Sequence, residues 1–405
     1  MNKQNAIPTK RSLPKAIERI AKLESEMNKK FLERDRFSAR LIDALIMGQH
    51  ILAVGPPGTS KSDQCLAVAD AIKELDEEKS RKGIAEHKSI KAWKYQFQPF
   101  TTLSEVFGAF SIVGMKEDRY SRYSANRLPD CKLAVMEEFF KSNSATLNGL
   151  LGALNERHWF DEGVIKKMPL RTAVLNSNRL PSDSDELEAV EDRICLRVFV
   201  GDVKSEENFD AIMCADSKEE NNRGLDCEVF EADLDVIRKS ALRLEFSEKA
   251  TESRAQIRRE INSAGIYVSV RRWKMASRIA KCFAVRTGSS VVEPRHLSVF
   301  EDCLWNRIEE MEQVQAIVSR LASPWKEDIN DLNALLAEAF NELREIERGQ
   351  CDASNVVRVA KKVQMAQATA KEIDAPEAGP EVEKVLQFAA TCRAQAMAMV
   401  ERSMA

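Results

Sequence analysis

The chain has 405 residues, 44% of them hydrophobic and 31% charged, with a formal net charge of −3 and an isoelectric point near 6.0. That is enough chain for two or three domains around a sizeable core, and it excludes a disordered or strongly basic protein. Without a basic surplus there is no electrostatic footprint for a nucleic-acid duplex, so nucleic acid is an unfavoured partner. Nine cysteines are scattered singly with no C-x-x-C pair, which points to reduced thiols and against a disulfide framework or zinc knuckle. The N-terminal Met-Asn-Lys-Gln-Asn lacks the apolar segment of a signal peptide, and no run approaches about eighteen apolar residues. The expectation is a cytoplasmic protein that does not enter a membrane.

Residues 1–13 are polar. From Pro14 the residues Ile17, Ile20, Leu23, Met27 and Phe31 recur at three and four, predicting a helix to about Leu32. A second helix, Arg36 to Met47, stops at Gly48. Ile51 to Val54 read as a short buried strand running into Gly55-Pro56-Pro57-Gly58-Thr59-Ser60-Lys61-Ser62, a phosphate-binding loop. Gly55 and Gly58 let the backbone turn its N–H groups toward an anion, and the helix that starts at Lys61 adds its N-terminal dipole. Lys61 would reach the β- and γ-phosphates and the Ser62 hydroxyl would ligate a metal, so ATP and Mg2+ are the expected cofactors and all eight residues are assigned to nucleotide binding. Ser60 departs from G-x-x-x-x-G-K-[ST], which has glycine there; its Cβ narrows the turn but adds no charge.

The helix is expected to reach about Leu75, followed by a solvated connection from Asp76 to Lys88. Trp93 to Phe97 alternates like a strand, and Thr101 and Thr102 would cap a helix at Glu105-Val106-Phe107-Gly108. Residues 109–128 read as a hairpin interrupting a helix, turning near Lys116 to Asp118. Lys132 to Glu138 is an apolar run closing in two acids, a buried strand whose carboxyl end delivers carboxylates beside the phosphate loop. Glu137, where aspartate is usual, would hold water on the metal, which makes Ser62 and Glu137 the metal residues. Glu138 would polarise the attacking water. A helix from Lys141 to Glu156 follows, then a hairpin from His158 to Pro169 turning at Asp161-Glu162-Gly163. A β-rich run from Leu170 to Leu175 ends in Asn176-Ser177-Asn178. A helix after Pro181 carries Asp192-Arg193, and Ile194 to Val200 is another strand.

This order resembles the AAA+ ATPases, and specifically the MoxR family near its RavA branch. The likeness is carried by Gly55-Pro56-Pro57-Gly58 through Lys61-Ser62, Glu105-Val106-Phe107-Gly108, Leu147 through Arg157, Asn176-Ser177-Asn178 with Leu180-Pro181, Asp192-Arg193 and Ser269-Val270-Arg271-Arg272-Trp273-Lys274. It covers roughly residues 14–310, and the segments 109–128 and 158–169 occupy places where the family carries insertions. The resemblance implies a hexameric ring that hydrolyses ATP to remodel a protein client, usually beside a partner with a von Willebrand factor type A domain. It also implies that Asn178 senses the γ-phosphate, with Asn176 as second choice, and that Arg193 is an arginine finger inserted into a neighbouring subunit. A helix-end arginine paired with Asp192 or Glu191 is the competing reading of Arg193, and Arg197 is its reserve. Arg271 resembles a lid arginine that contacts the phosphates, and Arg272 stays open beside it.

The implied fold is an α/β AAA+ P-loop core over residues 1–200, a helical lid over 201–310 and a C-terminal helical bundle over 311–405. Within the lid, Ser217 to Gly224 has loop composition, and Trp273, Ile279, Cys282 and Phe283 read as lid core. His50, His87, His158 and His296 lack ligand spacing, so neither structural zinc nor imidazole catalysis is expected. In the bundle Ile329, Leu332, Leu336, Phe340, Leu343 and Ile346 repeat at three or four. Breaks fall at Gly349 to Asp352 and Asp374 to Pro380. The functional expectation is a chaperone-like ATPase. A nucleotide-dependent switch with little turnover is the alternative suggested by Ser60 and Glu137, and a nucleic-acid-stimulated motor is the less favoured one.

Overall fold

The structure is a computed structural model that describes residues 12–75, 87–178, 192–214, 224–323, 325–347, 355–373 and 379–404. The predicted apolar stripe of α1 (Leu13–Lys30) is buried at Ile20, Leu23 and Met27, with Pro14 in the first turn, where its missing N–H leaves no bond unmade. α2 (Asp35–Met47) buries Phe37, Leu41, Leu45 and Asp43 and ends at Gly48. β1 (Ile51–Val54) is buried along its whole length, as a central parallel strand covered on both faces must be. α3 (Lys61–Ala71) leaves the phosphate loop.

The expected helix to Leu75 is corrected at Ile72. There the backbone extends into β2 (Ile72–Leu75), which pairs antiparallel with β3 (His87–Ser89) and parallel with β10 (Val229–Phe230). Long-range pairing overrides local helical propensity at these four positions. Of the connection assigned to Asp76 to Lys88, residues 76–86 lie outside the described residues and the last two belong to β3.

β4 (Ala92–Gln96), β5 (Leu133–Glu137), β8 (Thr172–Ser177) and β9 (Leu196–Phe199) join β1 in a five-stranded sheet of order β4-β5-β8-β1-β9. Every pairing in it is parallel. Parallel neighbours need crossovers, which puts helices on the faces and all five carboxyl ends on one edge, the edge where open α/β sheets take their ligands. The register sets Gln96 opposite Glu137, Glu137 opposite Asn176, and Asn176 opposite Ala53.

Between these strands, α4 (Leu103–Phe107) begins with a capping box of Thr102 and Glu105, as the cap expectation required. The hairpin expected over 109–128 is mostly something else. Ser111 Oγ accepts from the Gly114 N–H and starts a single turn, α5 (Ile112–Lys116), leaving one antiparallel bridge between Phe110 and Arg122. α6 (Ser144–Glu156) starts later than expected, capped by Asn143 after a short 3-10 turn at Phe139–Lys141. β6 (His158–Asp161) and β7 (Val164–Lys167) form the predicted hairpin, with Glu162 and Gly163 both at positive φ, as a tight two-residue turn demands. The helix expected after Pro181 falls on residues 179–191, outside the described residues; Asp192 and Arg193 form a turn before β9.

α7 (Glu206–Cys214), α8 (Glu231–Arg243), α9 (Glu248–Ser263) and α10 (Val270–Arg286) follow, with a 3-10 stretch at Pro294–Asp302. The loop expected at Ser217 to Gly224 lies outside the described residues except for Gly224. α8 packs on α1 and α10, and α10 packs on α2. Ile279 and Cys282 are buried, while Trp273 and Phe283 stand edge-on to Phe300 and His296. A buried ionic network ties this region to α2: Asp43, fully buried, takes Arg40 and Arg286, and Asp302 accepts from Arg36 at 2.7 Å and Arg40 at 2.9 Å.

The chain divides into two compact units, residues 1–314 and 315–405, and α11 (Ile308–Ala322) crosses the division. In the second unit α12 (Trp325–Glu347), α13 (Asn355–Glu372) and α14 (Gly379–Met404) share one apolar core built from Leu336, Leu343, Val359, Val363, Val385 and Ala389. The two breaks expected there lie outside the described residues, except that Gly379 and Pro380 open α14. Among the described residues no helix is long and apolar enough to cross a membrane.

Candidate nucleotide site

The phosphate loop leaves β1 at the carboxyl edge of the sheet and is shaped by two close constraints. A side chain at Gly55 would meet the Val200 carbonyl oxygen at 2.0 Å, and Gly58 sits at φ +82, so each position requires glycine. Ser60, where glycine is expected, also takes a left-handed conformation, φ 56 and ψ 19. The cost of the departure is therefore backbone strain and not the narrowing of the turn.

Lys61 is 7% exposed and curls back over the loop. Its ammonium donates to the carbonyls of Gly55 at 3.0 Å and Pro56 at 2.7 Å and to the Thr59 hydroxyl at 2.8 Å. Burial pushes its pKa below the usual lysine value; Arg34 adds to the shift, and the carboxylates of Glu137, Glu138 and Asp202 oppose it. Arg34, which sequence reasoning passed over, donates to the Thr59 carbonyl at 3.3 Å and braces the loop from the α1–α2 turn. Glu33 beside it accepts from the N–H groups of Lys204 and Ser205 and from Asn208. Those hydrogen bonds hold its carboxyl down at about 2.

The two acids are divided between two partner sets. Glu137 Oε1 accepts from the Ser62 hydroxyl and lies 3.6 Å from the Lys94 ammonium; Oε2 accepts from Asn176 Nδ2 at 3.2 Å. Glu138 is at φ 52, a left-handed step that turns its side chain away from the strand alternation. Its carboxylate accepts from Asn178 Nδ2 at 2.5 Å and pairs with Lys141 at 3.4 Å. Lys61, Ser62, Glu137, Glu138 and Asn178 thus meet on one edge. Hard oxygen donors from Ser62 and Glu137 suit Mg2+, and the loop N–H groups with Lys61 suit a phosphate chain.

Arg271 belongs to a second group centred on Asp192, and Arg193, next to Asp192 in the chain, is a half-buried turn residue. The Asp192 carboxylate accepts from the Ser269 hydroxyl and pairs with Arg271 at 3.4 Å, while Ser269 also caps α10. Of the adjacent arginines, Arg271 is solvent-facing and Arg272 is buried, donating to Asn306 Oδ1 at 2.6 Å. Arg197 is 0% exposed and donates to the Asn306 carbonyl at 3.1 Å, so its place is inside the subunit and not at a neighbour's nucleotide.

A parallel sheet in this strand order, with a phosphate loop after its central strand and paired acids on the next strand but one, defines a P-loop fold of the AAA+ class. A family profile for the MoxR domain in the MoxR-vWA-beta-propeller ternary systems matches residues 18–239, and an AAA lid domain profile matches 251–318. The chain belongs to that MoxR family. Two uncharacterized proteins of Methanocaldococcus jannaschii are similar to it. MJ0812 is 27% identical over 330 residues, 81% of this chain and 83% of that protein; MJ0079 is 26% identical over 363 residues, 88% and 90%. A crystal structure from Cytophaga hutchinsonii, provisionally described as an ATPase, shares the fold with a TM-score of 0.58 at 15% identity. It covers 76% of this chain and 94% of its own.

Proposed function

We propose that the chain is an ATP hydrolase that works as a ring and remodels a protein client in a chaperone-like way. The observation that carries the reading is the meeting of Lys61, Ser62, Glu137, Glu138 and Asn178 on one sheet edge. In this reading Gly55, Pro56 and Pro57 shape the turn, and the N–H groups of Gly58, Thr59, Ser60 and Ser62 cradle the phosphates with Lys61. Ser62 and Glu137 hold Mg2+, whose charge offsets that of the phosphates. Glu138 takes the proton of the attacking water once its carboxylate leaves Asn178 and Lys141, and Asn178 is then free to orient that water. Arg271 serves the same nucleotide from the lid, and Arg193 the nucleotide of a neighbouring subunit.

The core is taken as residues 1–200, the lid as 201–310 and the bundle as 311–405, and a hexamer is the assembly the family likeness supports. We place the chain near the RavA branch, on the ordered set of segments from Gly55 to Lys274, and in the cytoplasm. The ternary systems named in the family description support a von Willebrand factor type A domain partner and a beta-propeller partner. A second reading, a nucleotide-dependent switch with little turnover, is favoured by the strained Ser60 and by the Lys94 contact on Glu137.

Mixed assemblies test the shared site. Arg193→Ala and Lys61→Ala proteins are each expected to bind or assemble without hydrolysing ATP. On mixing, an intact loop of the first faces an intact arginine of the second, so phosphate release should return in proportion to the ratio. Co-assembly is first checked by size. Co-assembled rings that stay silent at every ratio mean that the finger is misassigned or that the ring demands all its sites at once; recovery with Arg197→Ala and not with Arg193→Ala removes Arg193 from the role.

A further inference from the structure

Asn176 faces Glu137 across the β5–β8 register and Ala53 across β1–β8, and it is 2% exposed. Its amide nitrogen donates to Glu137 Oε2 at 3.2 Å and to Ser62 Oγ at 3.3 Å. A carboxylate only accepts hydrogen bonds, so the nitrogen must be the atom turned to Glu137 and the carbonyl oxygen is turned away. That oxygen, Oδ1, is buried with no hydrogen-bond partner among the described residues. Buried acceptors are normally satisfied, and one left over beside a set of hard oxygen donors points to a ligand-borne donor.

Glu137 supplies the second half of the argument. It is one methylene longer than the aspartate usual at this position, so an unsupported carboxylate would wander through one extra torsion. Here both of its oxygens are fixed: Oε2 by Asn176, and Oε1 by Ser62 with Lys94 3.6 Å away. Lys94 provides the positive charge at the carboxylate, from β4, the strand that flanks β5 opposite β8.

Resting on the nucleotide reading above, we propose that Asn176 is a positioning residue of the divalent-cation site. Its N–H2 group locks Ser62 and Glu137 into one donor set, and its carbonyl oxygen accepts from water carried by the cation. The Asn176–Glu137 pair acts as a unit, in which the asparagine removes the freedom that the longer acid introduces.

Calorimetric ATP titrations in EDTA and across a Mg2+ series test this on the full chain. Asn176→Ala should leave metal-free ATP binding unchanged and raise the Mg2+ concentration for half-maximal tightening by about 10-fold or more, the usual cost of losing an outer-shell partner. In a Glu137→Asp background, whose side chain is one methylene shorter and has one torsion fewer to hold, the same change should cost about 3-fold or less, a coupling readable as a double-mutant cycle. Asn176→Asp keeps the acceptor but replaces the donor with a second carboxylate charge beside Glu137, which a divalent cation relieves, so its melting temperature should rise more with Mg2+ than that of the parent. An Asn176→Ala protein with the parent's Mg2+ dependence overturns the proposal. So does one that loses ATP binding equally with and without Mg2+, and so does an Asn176→Asp protein indifferent to the metal. A parent chain that shows no Mg2+-dependent ATP binding at all overturns the nucleotide reading itself, and this proposal with it.

Discussion

Arg286 and Lys61 are both buried cations of the first unit, and their surroundings differ in kind. Arg286 lies between the carboxylates of Asp43 and Glu24. Burial alone would lower its pKa; those two acids more than reverse the effect and raise it. Lys61 lies against two carbonyls and a hydroxyl, and burial wins, so its pKa is lowered. Dipoles satisfy an ammonium's hydrogen bonds without cancelling its charge. The arginine's countercharges are built into the fold and serve structure. Around the lysine the carboxylates of Glu137, Glu138 and Asp202 only partly offset burial, and a cation left short of compensation is what a site for an incoming anion needs.

Removing a countercharge separates the two plans most sharply. Asp43→Ala leaves Arg40 and Arg286 buried with one acid fewer between them, and should cost about 3–5 kcal/mol of stability by denaturant titration. ATP affinity of the folded fraction should stay at the parent value. Lys61→Ala should do the opposite. The loop loses a cation whose charged form burial disfavours, so stability should hold or rise slightly. ATP affinity should fall roughly 10- to 100-fold, the loss of a charge-assisted bond of about 1.5–3 kcal/mol. If both variants lose stability alike, Lys61 is a structural cation and the contrast fails. The smallest effect is at Ser60. Ser60→Gly removes the left-handed strain but adds freedom to the unfolded chain, for a net gain of about 0.5–1 kcal/mol. A loss instead would mean that the serine side chain holds the loop.

Local pattern made much of this site readable in advance. The run Ile51 to Val54 gave its strand with both ends correct, because a short apolar run between a helix stop and a glycine turn has one reading. The two acids after Leu133 to Met136 were readable for the same reason. What depended on register was hidden. Nothing near Asn176 in the sequence says that it faces Glu137, and nothing near Lys94 says that its ammonium reaches that carboxylate. Ile72 to Leu75 misled because their partners are at 87–89 and 229–230. Arg271 and Arg272 were indistinguishable until α10 fixed which one faces solvent. Asp192, one of the two acids weighed as a competing partner for Arg193, turns its carboxylate to Ser269 and Arg271 on α10.

The central claim is that the edge holding Lys61, Ser62, Glu137, Glu138 and Asn178 binds ATP and hydrolyses it. ATP occupancy and phosphate release, measured together on the parent chain and on Glu138→Gln, test it most directly. The variant keeps the size and hydrogen bonding of the side chain and loses the carboxylate to which the proposal gives water's proton. Occupancy should match the parent while release falls roughly 100-fold or more. Equal release from the two proteins, or a loss confined to Glu137→Gln, would contradict the assignment of Glu138 as the base.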